Sequence, residues 1–161
     1  MKTIDYVIER LSYLTAFVLA LLVLLVVFDA TNRYLFSEGS TALQELEWHF
    51  FDVVILLGIA YALKTDSHVR VDIFYENFAP KTKALVNIVA ALFFILPLSA
   101  LIIYVGVGFV ELSFVQNEAS SDPGGLPYRW LVKSLMPLSF AFLALQALSE
   151  LVKSVKLWKA S

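Results

Sequence analysis

The sequence predicts an all-α integral membrane protein with four transmembrane helices. Hydrophobic residues make up 60% of the 161-residue chain and charged residues only 16%, whereas a soluble globular domain is typically about 25% charged. The apolar residues form continuous leucine-rich runs and lack the period-two alternation of an outer-membrane strand. In lipid, such runs satisfy their backbone hydrogen bonds only as helices. A single membrane domain, residues 1–161, accounts for the whole chain.

Four segments match the length that a bilayer requires, since a hydrocarbon core of roughly 30 Å needs about 20 helical residues. The first and third are the clearest, because residues 11–28 and 84–110 contain no acidic or basic side chain. The second and fourth are shorter between their charges, but they extend into residues that tolerate the membrane interface, such as Trp48, Trp130 and Lys133. We expect spans at residues 11–33, 45–64, 84–110 and 130–151.

The distribution of basic residues predicts how the chain crosses the membrane. Two of the twelve Lys and Arg residues precede the first span, four flank or lie in the second loop and three follow the fourth span, against three near the other two loops. Short loops rich in Lys and Arg stay in the cytoplasm. We therefore expect both termini and the loop 65–83 to be cytoplasmic, with the loops 34–44 and 111–129 on the outside.

An acid and a base lie one helical turn apart at the end of the first span. Asp29 and Arg33 share one face of that helix and can pair with each other. A charge at membrane depth costs roughly 2.5 to 3.5 kcal/mol on insertion scales and tends to be directed at a partner. An ion pair at the helix end and a contact with another subunit both remain open.

The second helix begins with a polar face formed by Glu45, His49 and Asp52. This face can pack against another transmembrane element, act in a proton or ion relay, or bind a metal. A metal is the weakest of the three, because one helix would supply every ligand. Haem is also disfavoured, since His49 and His68 are expected near opposite faces of the membrane. We predict neither a metal nor a cofactor.

Small residues at helical spacing predict close helix contacts. Gly58 and Ala62 in the second span form a small-xxx-small pair, and Gly106 and Gly108 offer similar room in the third. Pro97 and Pro137 remove backbone donors within the third and fourth spans and are expected to bend them.

The sequence argues against an enzyme and against nucleic-acid binding. It has no cysteine, and it shows no nucleophile with a paired base and no glycine-rich phosphate loop. The formal net charge is only −2, and no basic stripe is present to neutralise phosphates. The lipid bilayer and other membrane proteins are the expected partners.

Several short patterns follow one another along the chain. They are an acidic start to the second helix, the small pair within that helix, the charged stretch 68–72, and the run 123–130 before a helix that contains Leu145 and Gln146. In this order, and with four spans, the chain resembles the small membrane subunit, of DctQ type, of tripartite ATP-independent periplasmic (TRAP) transporters. The resemblance covers nearly the whole chain.

The resemblance implies a non-catalytic subunit in the bacterial inner membrane, with the loops 34–44 and 111–129 in the periplasm. The subunit would scaffold a much larger membrane subunit that holds the substrate and sodium sites, while a periplasmic binding protein delivers an organic acid. The large-subunit contacts that it implies are Glu45, Glu47, His68, Arg70 and Asp72, with Asp29 and Arg33 as further candidates. The turn containing Asp122, Gly124, Gly125 and Arg129 would receive the binding protein. Asp52 has no assigned role.

Two other functions remain open. A membrane-anchor or quinone-interacting subunit of a respiratory oxidoreductase also has few spans and little chemistry of its own. A self-sufficient small exporter would need polar groups at mid-depth on several helices, and those are scarce here.

Overall fold

All regular structure among the described residues, 2–67, 75 and 77–160, is helical in the computed structural model. Two helices, α3 (Pro80–Ala90) and α4 (Leu96–Val115), are joined end to end by a π-helical turn, and together they form the third spanning helix, Pro80–Val115. Four helices are thus long and apolar enough to cross a membrane, which confirms the predicted fold class. The elements are α1 (Lys2–Leu35), α2 (Thr41–Lys64), α3 (Pro80–Ala90), the π turn (Ala91–Ile95), α4 (Leu96–Val115) and α5 (Trp130–Ala160).

Local chemistry explains where these helices begin and end. The Ser40 hydroxyl accepts a hydrogen bond from the Leu43 backbone N–H and caps α2. Pro80 begins α3, where a missing N–H costs no hydrogen bond. Asn117 has a φ of 47° just after α4, and this left-handed conformation stops the helix. The helices reach beyond the expected spans, most clearly in α1 and α5.

The last helix, α5, is the centre of the bundle. Of its most apolar stretch 28% is buried within the chain, against 6% for α1 and 11% for each of the other two spanning helices. It packs along the third spanning helix on one side and along α2 on another, while α1 rests mainly on α2. The outer helices therefore expose most of their apolar surface, as expected of a chain surrounded by lipid or by other subunits.

A stripe of small residues holds the third spanning helix against α5. Its buried members are Ala84, Ala91, Ser99, Gly106 and Ser113. Successive members are seven residues apart, except for the eight residues that separate Ala91 from Ser99. Seven residues return an α-helix almost to the same face. The π turn lies within the longer interval and accommodates the extra residue, so the stripe stays on one side of the helix.

The glycines expected at helix contacts differ in their surroundings. A Cβ added at Gly106 would lie 3.2 Å from Met136 Cε and 3.3 Å from the Pro137 ring, so α4 and α5 approach closely there. Apart from the chain neighbours and nearby backbone of the same helix, no described atom lies within 4 Å of a Cβ added at Gly58 or at Gly108. Packing through these two glycines stays a prediction that concerns contacts outside this chain.

We expect Gly106→Leu to destabilise the bundle, because overpacking a close contact typically costs about 1–3 kcal/mol. Gly108→Leu is the matched control, since the same side chain would enter open space two residues away. The melting temperature of each purified variant in detergent measures the effect. Equal melting temperatures for the two variants would contradict the close approach of α4 and α5.

Candidate functional site

Polar groups gather at the two ends of the bundle. We call the end that carries both chain termini the terminal face. The opposite end, formed by residues 36–40 and 116–129 with the adjoining helix ends, is the loop face. The spanning helices are mostly apolar between these ends. The charged and polar side chains that could bind a partner or a ligand therefore lie mainly at one face or the other.

On the loop face, Glu45 holds the connection between α4 and α5. Its carboxylate accepts hydrogen bonds from the Leu126 backbone N–H, at 2.6 Å, and from the Ser120 hydroxyl, and it lies 3.6 Å from the Arg129 guanidinium. A Cβ added at Gly125 would collide with Ser120 and would lie 2.9 Å from Glu45 Oε2. The glycine in the run 123–130 therefore lets the turn close around the carboxylate.

A second ion pair fixes the same connection. Glu118 pairs with Lys133, and the Lys133 ammonium group also lies 4.1 Å from the centre of the Phe109 ring. The hydrogen bond from Lys133 lowers the pKa of the Glu118 carboxyl, so this group is ionised at neutral pH. The backbone N–H of Arg129 donates to the Glu118 carbonyl oxygen at 3.0 Å, which closes the loop at its base.

The remaining residues expected at the binding-protein turn lie on this fixed loop. The Gly125 backbone N–H donates to the Asp122 carbonyl oxygen at 3.0 Å, and Gly124 has a φ of +78°, which favours glycine. Both Asp122 and Gly124 are exposed. The fold thus presents the turn at the surface of the loop face.

A third loop-face cluster joins α1 to α2. Asp29 is only 2% exposed and pairs with Arg33, while Glu47 on α2 interacts electrostatically with both. Asp29 Oδ1 and Glu47 Oε1 are buried and accept no hydrogen bond from any residue in the described part of the chain. The structure therefore brings together three expected contact residues, and the two carboxylates outnumber the single guanidinium.

The polar face predicted on α2 opens into a pocket between α2 and α5. The pocket has a volume of about 190 Å³. The Asp52 side chain forms no hydrogen bond or ion pair with any residue the structure describes, and His49 interacts with it electrostatically. No group of three or more His, Cys, Asp or Glu side chains within the described ranges is arranged to hold a metal. The pocket is lined by Glu45, Trp48, His49, Asp52, Arg129, Val132 and Lys133.

On the terminal face, one carboxylate ties α1 to α5. Asp5 Oδ1 accepts hydrogen bonds from Gln146 at 3.2 Å, Ser149 at 3.1 Å and Lys153 at 3.0 Å. Gln146 is fully buried, and it also donates to Glu150 at 2.7 Å. Sequence reasoning missed this cluster, although the spacing of these α5 residues at i, i+3, i+4 and i+7 places them on one helical face.

Lysine 64 extends the terminal-face cluster to α2. The Lys64 ammonium group donates to the Asp5 carbonyl oxygen and to the Glu9 carboxylate, both at 2.8 Å. Three helices are thus joined by charged groups at this end of the bundle. His68, Arg70 and Asp72 lie outside the described residues, and their contact with a large subunit stays a prediction.

The family of the chain follows from a comparison with known proteins. Residues 22–157 match the DctQ component of the tripartite ATP-independent periplasmic transporters. The chain belongs to the DctQ family. A Haemophilus influenzae protein named as a TRAP transporter small permease is 24% identical over 147 residues, which cover 90% of this chain and 87% of that relative. DctQ proteins are components of transporters and not enzymes, so this chain is a small membrane subunit of a TRAP transporter.

We expect Glu45→Gln and Gly125→Ala to loosen the turn of this DctQ protein. Losing a hydrogen bond to a charged group costs about 1.5–3 kcal/mol, so exchange of the Leu126 amide hydrogen should accelerate roughly tenfold or more. Gly39→Ala is the matched control, because its added methyl group meets no atom within 4 Å. Hydrogen exchange followed by mass spectrometry measures the rates. Unchanged exchange at Leu126 in both variants would refute this role for Glu45.

Proposed function

We propose that this DctQ protein is the scaffold of a sodium-driven transporter for an organic acid, in the inner membrane of a bacterium. It would brace a larger membrane subunit that carries the substrate and sodium sites, while a periplasmic binding protein delivers the substrate. The match of residues 22–157 to the DctQ component carries the proposal. The sodium coupling and the substrate class rest on the family resemblance described above.

The packing of the bundle supports a scaffold and not a conduit. Between the two polar faces the helices meet through small side chains, as at Gly106 against Met136 and Pro137. Ser99 on the third spanning helix and Ser139 on α5 are also buried. At the level of Gly106 such close contacts leave little room for a hydrated solute between α4 and α5. We propose that they make a stiff wall against which another domain can move.

The loop face supplies the contacts that we propose for the partner subunits. Asp29, Arg33 and Glu47 bring two carboxyl groups together with one guanidinium, and such a cluster suits a basic group of the large subunit. The Glu45 carboxylate is engaged by the 116–129 loop, so we propose that it affects assembly by shaping that loop. The exposed turn containing Asp122, Gly124, Gly125 and Arg129 is the proposed docking point for the binding protein. Three further contacts proposed for the large subunit are His68, Arg70 and Asp72.

We propose that the terminal face is cytoplasmic, because most Lys and Arg residues lie at that end. The chain has no cysteine, so single cysteines can report the side of the membrane. A membrane-impermeant maleimide added to spheroplasts should label Glu38→Cys and should label Lys159→Cys only after the membrane is permeabilised. The reverse pattern would show that the chain has the opposite orientation.

Reconstitution in liposomes tests the scaffold function. The DctQ protein alone should give no sodium-dependent uptake of radiolabelled organic acid. It should restore uptake when it is combined with the large subunit and the binding protein of the same transporter. Uptake by the large subunit and binding protein at full rate without this chain would refute the scaffold. Uptake by this chain alone would show that it carries the pathway itself.

A further inference from the structure

The α2 helix has a side that none of the other helices in the described residues covers. Its neighbours α1 and α5 occupy the other sides. Trp48, Phe51 and Ile55 on the uncovered side are 67%, 47% and 49% exposed. Gly58 and Ala62 continue the same stripe at helical spacing toward the terminal face. We call this stripe, Trp48, Phe51, Ile55, Gly58 and Ala62, the α2 outer face.

The α2 outer face contains a notch. Beyond the backbone of α2 itself, a Cβ added at Gly58 would meet no atom of the described residues within 4 Å, and Ala62 lies one turn further along. Glycine inside a helix is about 1 kcal/mol less favourable than alanine. In membranes, small residues one turn apart are enriched where a second helix approaches closely. Lipid chains can cover a flat or a notched helix surface equally well. A notch that costs helix stability is therefore better explained by the close approach of another helix.

An unpaired acid lies at the edge of this face. Asp52 follows Phe51 and lies one helical turn deeper than Trp48, within the apolar part of α2. It has no hydrogen bond or ion pair to the part of the chain that the structure describes, and its oxygens are not among the buried atoms. An ionisable side chain at such a depth is costly without a partner. Asp52 is therefore accessible to a donor from outside the chain.

The cations near Asp52 are already engaged. Of the residues that line its pocket, Arg129 is paired with Glu45, and Lys133 is paired with Glu118. His49 interacts with the Asp52 charge but forms no hydrogen bond to it. The carboxylate thus still needs a donor, and a cation on another chain satisfies that need most directly.

We propose that a transmembrane helix of the large subunit packs against the α2 outer face and places a lysine or arginine side chain beside Asp52. The inference rests on the proposed function for the existence of that subunit, and it adds the surface and the chemistry of the contact. Apolar lipid chains provide no donor at this depth. A second copy of this chain, paired through the same face, would set two Asp52 carboxylates close together without a cation on either face.

Co-purification of the DctQ protein with its large subunit tests both features. We expect Gly58→Leu, which fills the notch, and Asp52→Lys, which reverses the charge, to reduce the retained large subunit roughly tenfold or more. Val23→Leu is the control and should retain it at the wild-type level, because it enlarges a side chain that is 56% exposed on another helix, α1. Melting temperatures of the isolated variants establish that each one folds.

Photo-crosslinking in an otherwise wild-type complex gives an independent readout. A benzoylphenylalanine at position 55, in place of Ile55, should form an adduct with the large subunit. An acidic replacement of the lysine or arginine nearest to that crosslink should restore assembly with Asp52→Lys. Normal assembly of folded Gly58→Leu and Asp52→Lys, or adducts only with lipid or with a second copy, would overturn the inference. If the wild-type chain retains no large subunit at all, the proposed function itself fails.

Discussion

The bundle depends on the close approach of the third spanning helix to α5. In a bilayer, apolar side chains gain little by leaving lipid for a neighbouring helix, so association relies on close packing and on polar contacts. The stripe from Ala84 to Ser113 provides that packing, and at Gly106 the two helices are so close that an added Cβ would lie only 3.2 Å from Met136. Without the π turn in the middle of the stripe, its two halves would face different directions.

Charged groups at the two faces determine how the helices are joined. Interhelical hydrogen bonds in membranes contribute only about 0.6 kcal/mol each on average, so a single bond holds little. Asp5 accepts three hydrogen bonds from α5, and the Glu45 carboxylate is contacted by three residues of the 116–129 loop. Several bonds to one carboxylate offset the cost of ordering it. These bonds also reduce the number of polar atoms that are exposed to lipid without a hydrogen-bond partner.

The polar groups that lack a partner within the described chain are unevenly distributed between the two faces. On the terminal face the charged groups Asp5, Lys64 and Lys153 all have partners within the described chain, and the buried atom left without one is the neutral amide oxygen Oε1 of Gln146. The loop-face half of α2 is different: Glu47 Oε1 has no partner and Asp52 makes no ion pair in the described ranges. A subunit that works only in a complex is expected to keep such groups where its partners bind, and a scaffold function accounts for this asymmetry.

Hydrophobic run length and the placement of lysine and arginine are local properties, and they determined the helical class, the number of spans and the expected orientation. These local properties could not predict the hydrogen-bond partners of Glu45, because Ser120 is 75 residues away in the sequence and Leu126 is 81. Asp5 and Gln146 are 141 residues apart. Gly58, Gly106 and Gly108 are all glycines within apolar helical runs. Only Gly106 of the three has another helix within 4 Å of its added Cβ. Which small residue becomes a contact depends on helix rotation and on neighbours distant in the chain, and only the tertiary structure decides these.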